Sequence, residues 1–146
     1  MESLFCLAYT SSATRMLMEV GLEKLLTDAR SRNWSLGVTG VLLYDDGNFF
    51  QYLEGQRQAL HQVYERIQHS RQHHNLIELV QQPIQKREFL NWNMGLCRVM
   101  SSELLRLSSA AWSQDLLTAQ SNEVSQSDGL VLLLDFWLRA GRWLHH

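Results

Sequence analysis

The segment VTGVLLYDDGNFFQYLEG, residues 38–55, constrains this chain more than any other. Two runs of strand formers flank Asp45, Asp46, Gly47 and Asn48. Gly and Asn tolerate the positive φ of tight turns, so the segment predicts a β-hairpin. Side chains alternate along a strand, which puts Phe49, Gln51 and Leu53 on one face of its second arm. A primary amide is therefore aimed where its neighbours exclude water. Each hydrogen-bonding group left unsatisfied there costs roughly 1–3 kcal/mol, so Gln51 calls for a partner.

The flanking segments supply the rest of a sheet. SLFCLAYT is a short run of strand formers, and SSATR follows with capping residues. Met18, Leu22, Leu25, Leu26 and Ala29 then fall at helix-face spacing, predicting a first helix from about Thr14 to Arg32. After the hairpin, Leu60, Val63, Tyr64 and Ile67 mark a second amphipathic helix. NLIELVQQPI reads as a fourth strand and GLCRVM as a fifth. The order is that of an α+β, ferredoxin-like βαββαβ sandwich with an additional strand and two helices on one face. In such a fold the first and third strands lie side by side, which brings Tyr9 near Gln51.

From Ser101 onward the composition shifts to Ser, Gln and helix formers, with the polar linker QSNEVSQSDG before a last helix. Residues 1–100 are thus expected to form one domain and residues 101–146 a C-terminal helical extension. In the last helix Leu130, Leu133, Leu134, Trp137 and Leu138 line one face, and Leu132, Phe136 and Trp143 another. A helix apolar over so wide an arc buries two sides. One is expected to cover the bare face of the sheet, and the other to meet a second subunit or a partner protein.

Several function classes find no support. The chain carries 13 basic against 15 acidic residues and no basic stripe, so the footprint of a nucleic-acid binder is missing. GLVLLLDFWLRAGRWL is broken by Asp135 and Arg139 and is shorter than the ~20 apolar residues that cross a bilayer. No signal peptide is seen, and Cys6 and Cys97 form no CxxC pair, which points to reduced, structural thiols in the cytoplasm. His69 and His73 stand four apart, as zinc ligands do, but no carboxylate or cysteine joins them at a useful spacing, so no metal is expected. There is no GxSxG elbow, no GxGxxG and no Walker pattern.

Five residues remain at the ends or centres of core elements: Tyr9, Asn33, Gln51, Trp92 and Met94. Each has an ordinary reading. Tyr9 suits a strand with its hydroxyl at the surface, Asn33 suits a helix C-cap, and Trp92 and Met94 suit packing. Together they suggest a different reading, in which Gln51 bridges the Tyr9 hydroxyl and a polar ligand. A glutamine amide offers two donors and two acceptor sites and reverses their order by rotating. Buried between two bonding patterns, such a group is a natural two-state switch.

Over roughly Ser3 to Met100 the chain resembles the BLUF family of blue-light sensors that use FAD, with its motifs in order. LAYTS carries Tyr9, RNWSLGVTGVLLY carries Asn33, GNFFQYLEG carries Gln51, SRQHHN follows the second helix, and FLNWNMGL carries Trp92 and Met94. The resemblance implies a flavin ring between the first two helices, above the sheet. Asn33 would bind its polar edge, Gln51 would sit between Tyr9 and the ring, and Leu53 would pack against it. Arg71 and His73 would lie near the ribityl and phosphate end. There Ser70 replaces the acidic residue of many relatives, which leaves FAD, FMN and riboflavin open as the cofactor.

The implied chemistry is photochemical, not catalytic. Light would draw an electron and then a proton from Tyr9, and their return would leave Gln51 rotated or tautomerised. Trp92 and Met94 on the fifth strand would sense the change and pass it to the C-terminal helices. The chain ends soon after the domain with no cyclase or phosphodiesterase segment, so the expected output is a homo-oligomeric change or contact with a downstream signalling protein. Two other readings stand beside this one: a light-insensitive ferredoxin-like interaction module, and a small flavin enzyme.

Overall fold

The structure, a computed structural model, describes residues 3–13, 21–45, 47–69, 73–90, 94–112 and 128–140. Five strands form one sheet: β1 (Leu4–Ala13), β2 (Thr39–Asp45), β3 (Asn48–Gln56), β4 (His73–Pro83) and β5 (Gly95–Arg98). Four described helices pack on it: α1 (Leu22–Leu36), α2 (Arg57–Gln68), α3 (Ser101–Ser109) and α4 (Asp128–Ala140). The strand order is β4-β1-β3-β2-β5, antiparallel except for the β2–β5 pair. This is the expected α+β arrangement, with β1 beside β3.

β3 holds the centre because its sequence is fit for burial on both faces. Every residue from Phe49 to Gly55 is buried. On one face Leu7, Tyr9, Leu42, Phe49, Leu53 and Met94 pack with Leu26 of α1 and with Ala59 and Leu60 of α2. Val63, Tyr64 and Ile67 extend that contact at the predicted spacing. On the other face Cys6, Ala8, Val41, Leu43, Phe50 and Tyr52 pack with Leu104 and Leu107 of α3 and with Leu133, Phe136 and Trp137 of α4. The C-terminal helices thus cover the face that α1 and α2 leave bare.

Two expectations about helices are corrected. The first described helix runs from Leu22, after Gly21 with φ 99°, to Leu36 and so passes the expected end at Arg32, while the expected start at Thr14 lies outside the described residues. Apolar spacing is blind to a glycine that steps out of the helical region. It ends at Gly37, whose left-handed backbone lets its N–H reach the carbonyls of Asn33 and Trp34. In α4 the two stripes mix. Phe136 is buried with Leu133 and Trp137, whereas Leu138, expected on the same stripe as Trp137, is 74% exposed. Gly129 marks how closely α4 approaches the segment after α3, since a Cβ there would collide with the Trp112 indole. Met18 and Trp143 lie outside the described residues.

Candidate functional site

Tyr9 and Gln51 are direct partners across the β1–β3 pair, and Leu42 of β2 flanks Gln51 on its other side. The β1–β4 ladder is irregular at Ala8/Tyr9, and such breaks in register often re-aim a side chain beside a functional site. The hairpin pattern that placed Gln51 among apolar neighbours holds: its side chain is on the α1/α2 face and only 7% exposed. Its amide Nε2 donates to Met94 Sδ at 3.3 Å. A thioether is a weak acceptor, so this amide is held by a bond that a better acceptor would displace.

Tyr9 is buried beside Tyr64 of α2, the ring centroids 5.6 Å apart. Its hydroxyl finds no hydrogen-bond partner among the described residues. Burial, reinforced by Tyr64, holds its pKa well above the usual phenol value, so the proton stays on the oxygen at any ordinary pH. A buried hydroxyl without a partner is rare in a folded protein and costs roughly 1–3 kcal/mol. Tyr9 is here the direct cross-strand partner of Gln51, whose amide is loosely held.

Asn33 and Met94 complete the described part of the site. Asn33 is not the helix cap. It sits in the last turn of α1 with 2% exposure, and its backbone carbonyl accepts the N–H of Val38 at 2.8 Å. Met94, just before β5, is bound from two sides, by Gln51 at its sulfur and by Arg30 Nε of α1 at its carbonyl, 3.0 Å away. Leu53 is fully buried on the same face.

The structure thus brings Tyr9, Gln51, Leu53 and Met94 onto one face under α1 and α2, with Asn33 buried in α1. Trp92 and Arg71 lie outside the described residues, and His73 is described by its backbone, paired with Ala13. His69, the other member of the considered metal pair, engages the Glu65 carbonyl through Nδ1 at 2.7 Å. Cys6 is a free, buried thiol whose pKa burial pushes up to about 11, consistent with an inert structural role.

Sequence reasoning passed over Glu54. It points to the opposite face from Gln51, is fully buried, and its carboxylate takes the N–H groups of Glu88 and Phe89. The signal was available, since a charged residue in an apolar strand invites the question asked of Gln51. Burial raises its pKa in spite of these donors.

The orphaned phenol and the buried amide and asparagine fit the polar edge of a planar heterocycle with carbonyl and ring-nitrogen groups. Comparison with known proteins points the same way. Residues 4–95 match the profile of the BLUF family, sensors of blue-light using FAD. The photoactivated adenylate cyclase subunit beta of Euglena longa is 36% identical over 88 residues, 60% of this chain and 10% of that protein. The blue light- and temperature-regulated antirepressor BluF of Escherichia coli (strain K12) is 36% identical over 59 residues, 40% of this chain and 15% of that protein. The chain therefore spans a small part of these curated relatives. Among solved structures, the dark state of BlrB, a BLUF protein, superposes with a TM-score of 0.67 at 26% identity, covering 91% of this chain and 93% of that one. The photo-activated state of BlsA gives 0.69 at 25% identity, covering 91% and 94%.

Proposed function

The chain belongs to the BLUF family of blue-light sensors using FAD, and from that premise we propose that it registers light as an exchange of hydrogen bonds at Gln51. One observation carries this reading: a buried amide is bonded to the soft Met94 sulfur, while the buried phenol paired with it across the strands has no partner among the described residues. The amide has one weak bond to give up.

Tyr9, Asn33, Gln51 and Leu53 would hold the flavin ring, and Arg71 and His73 its ribityl and phosphate end. When bound, the flavin supplies blue-light absorption and a transient electron acceptor. Tyr9 is suited to lose an electron and then a proton, and to take both back. Burial disfavours a phenolate, so the phenol does not shed its proton alone. Gln51 then settles with its amide reversed, its donor withdrawn from Met94. Met94, and Trp92 near it in sequence, carry the change toward residues 101–146.

For output, we read residues 1–100 as the sensor and 101–146 as the extension it acts on. Trp137 is buried against the sheet and is not a docking residue. Val131 and Leu138 are the apolar side chains that α4 leaves exposed, and they are the surface we assign to a second copy or a downstream signalling protein. No described helix is long and apolar enough to cross a membrane, and the free thiol of Cys6 suits the cytoplasm.

The test is the visible spectrum of the purified chain. The expected result is a yellow protein whose absorption moves slightly to the red under blue light and returns in darkness. A colourless protein, or a yellow one bleached only by added substrate in the dark, would overturn the reading.

A further inference from the structure

β3 grips the connection between β4 and β5 twice, from opposite faces. On the α1/α2 face Gln51 holds the end of that connection through Met94 Sδ. On the other face Glu54 holds its middle: Glu88 N–H reaches Oε1 at 3.0 Å and Oε2 at 2.8 Å, and Phe89 N–H reaches Oε1 at 2.8 Å. The Tyr52 hydroxyl donates to Oε2 at 3.2 Å. Arg87 Nη1 adds bonds to the Glu54 backbone carbonyl at 3.2 Å and to Thr39 Oγ1 at 3.0 Å. Every described donor to this carboxylate comes from the connection or from Tyr52 beneath it. The residue so anchored, Phe89, packs edge-on against Trp137 of α4 with centroids 5.8 Å apart, and against Tyr52 at 5.6 Å.

We propose that Glu54 is the positioning residue that couples the two faces of the sheet. Its carboxylate fixes residues 88 and 89 to β3, so that a displacement at Met94 on the cofactor face is delivered to Trp137 on the other face and is not absorbed by slack in between. A salt link to a side chain would leave the backbone free to shift. Bonds to two successive backbone N–H groups do not, and burial keeps water from substituting for them. The coupling part rests on the Gln51 switch proposed above; the clamp itself does not.

The test is amide hydrogen exchange on the full, flavin-loaded chain, in darkness and under blue light, for wild type, Glu54→Ala and Glu54→Gln. In Glu54→Ala the flavin's red shift is expected to persist, since Tyr9 and Gln51 lie on the opposite face. Exchange at Glu88 and Phe89 in the dark should rise at least about tenfold as the closed state loses its acceptor. The light-induced change in exchange across residues 128–140 should disappear. Gln keeps one acceptor oxygen, so Glu54→Gln should release the two amides less and retain part of the α4 response; it also decides the matter if the alanine variant does not fold. The proposal is overturned if both amides stay as slow as in wild type, if α4 responds fully once they are released, or if wild-type α4 shows no response despite a normal shift. A wild-type chain with no red shift removes the switch, and the dark amide rates alone then support or refute the clamp.

Discussion

The two faces of the sheet each bury a tyrosine and a polar residue of β3, and they satisfy them in opposite ways. Under α3 and α4, the Tyr52 hydroxyl bonds to Glu54, whose carboxylate also takes two backbone N–H groups. Under α1 and α2, the Tyr9 hydroxyl has no described partner and the Gln51 amide makes do with sulfur. The first arrangement is what a rigid scaffold needs, because a filled set of bonds has one geometry. The second leaves bonding capacity in reserve, which is what a ligand and a switch require. A chain that senses light needs spare bonding capacity where the signal starts and a stiff connection that carries it onward.

The largest effect expected on this contrast is complete. Gln51→Leu should retain bound flavin and lose the whole light-induced red shift, read as a light-minus-dark spectrum, because leucine cannot reverse a hydrogen bond. On the clamped face the effect is on stability instead. Phe89→Ala removes a buried ring wedged between Tyr52 and Trp137 and should cost about 3–5 kcal/mol in denaturant unfolding, while leaving the shift in the surviving folded fraction. Asn33→Ala should weaken flavin binding by roughly tenfold, the worth of one or two polar contacts, measured by titration of the apoprotein.

The two tyrosines give the sharpest comparison. Tyr52→Phe breaks a made bond and should destabilise by about 1 kcal/mol; Tyr9→Phe removes a hydroxyl with no partner among the described residues and should leave the apoprotein equally or more stable by a similar amount. The same Tyr9→Phe change should block the normal photocycle. Equal losses of stability in the two variants would erase the distinction drawn between the faces. The smallest effect is with pH. Glu54 is held above its ordinary pKa chiefly by burial, so the folded state binds its proton more tightly than the unfolded state does. Its contribution to stability is therefore fully present below the unfolded carboxylate pKa and is lost as pH rises through the raised value. Glu54→Gln should flatten that part of the stability-against-pH curve.

Gln51 could be read from the sequence because period-2 alternation makes a polar residue at an inward position conspicuous without knowledge of what lies opposite. Glu54 obeyed the same rule, yet its role was not legible. Its partners are the backbone N–H groups of Glu88 and Phe89, 34 and 35 positions away, and a backbone donor is the same whatever the side chain, so no motif records it. The bond from Arg30 to the Met94 carbonyl is hidden for the same reason. Asn33 was visible as a residue of interest, but a cap and a buried polar residue look alike until the helix end is known; Gly37, not Asn33, closes α1.

By itself the sequence determined the local and periodic features: the hairpin, the amphipathic second helix, the order of strands and helices along an α+β chain, and the positions of Tyr9 and Gln51 on strands expected to lie side by side. These follow from short-range sterics and from which side chains avoid water, and both are written residue by residue. Tertiary structure alone decided which bonds are made and which are withheld: sulfur for Gln51, no described partner for Tyr9, a full set for Glu54, and burial for Phe136 in place of Leu138. Those outcomes depend on distances between segments far apart in the chain, where a few tenths of an ångström separate a hydrogen bond from a vacancy.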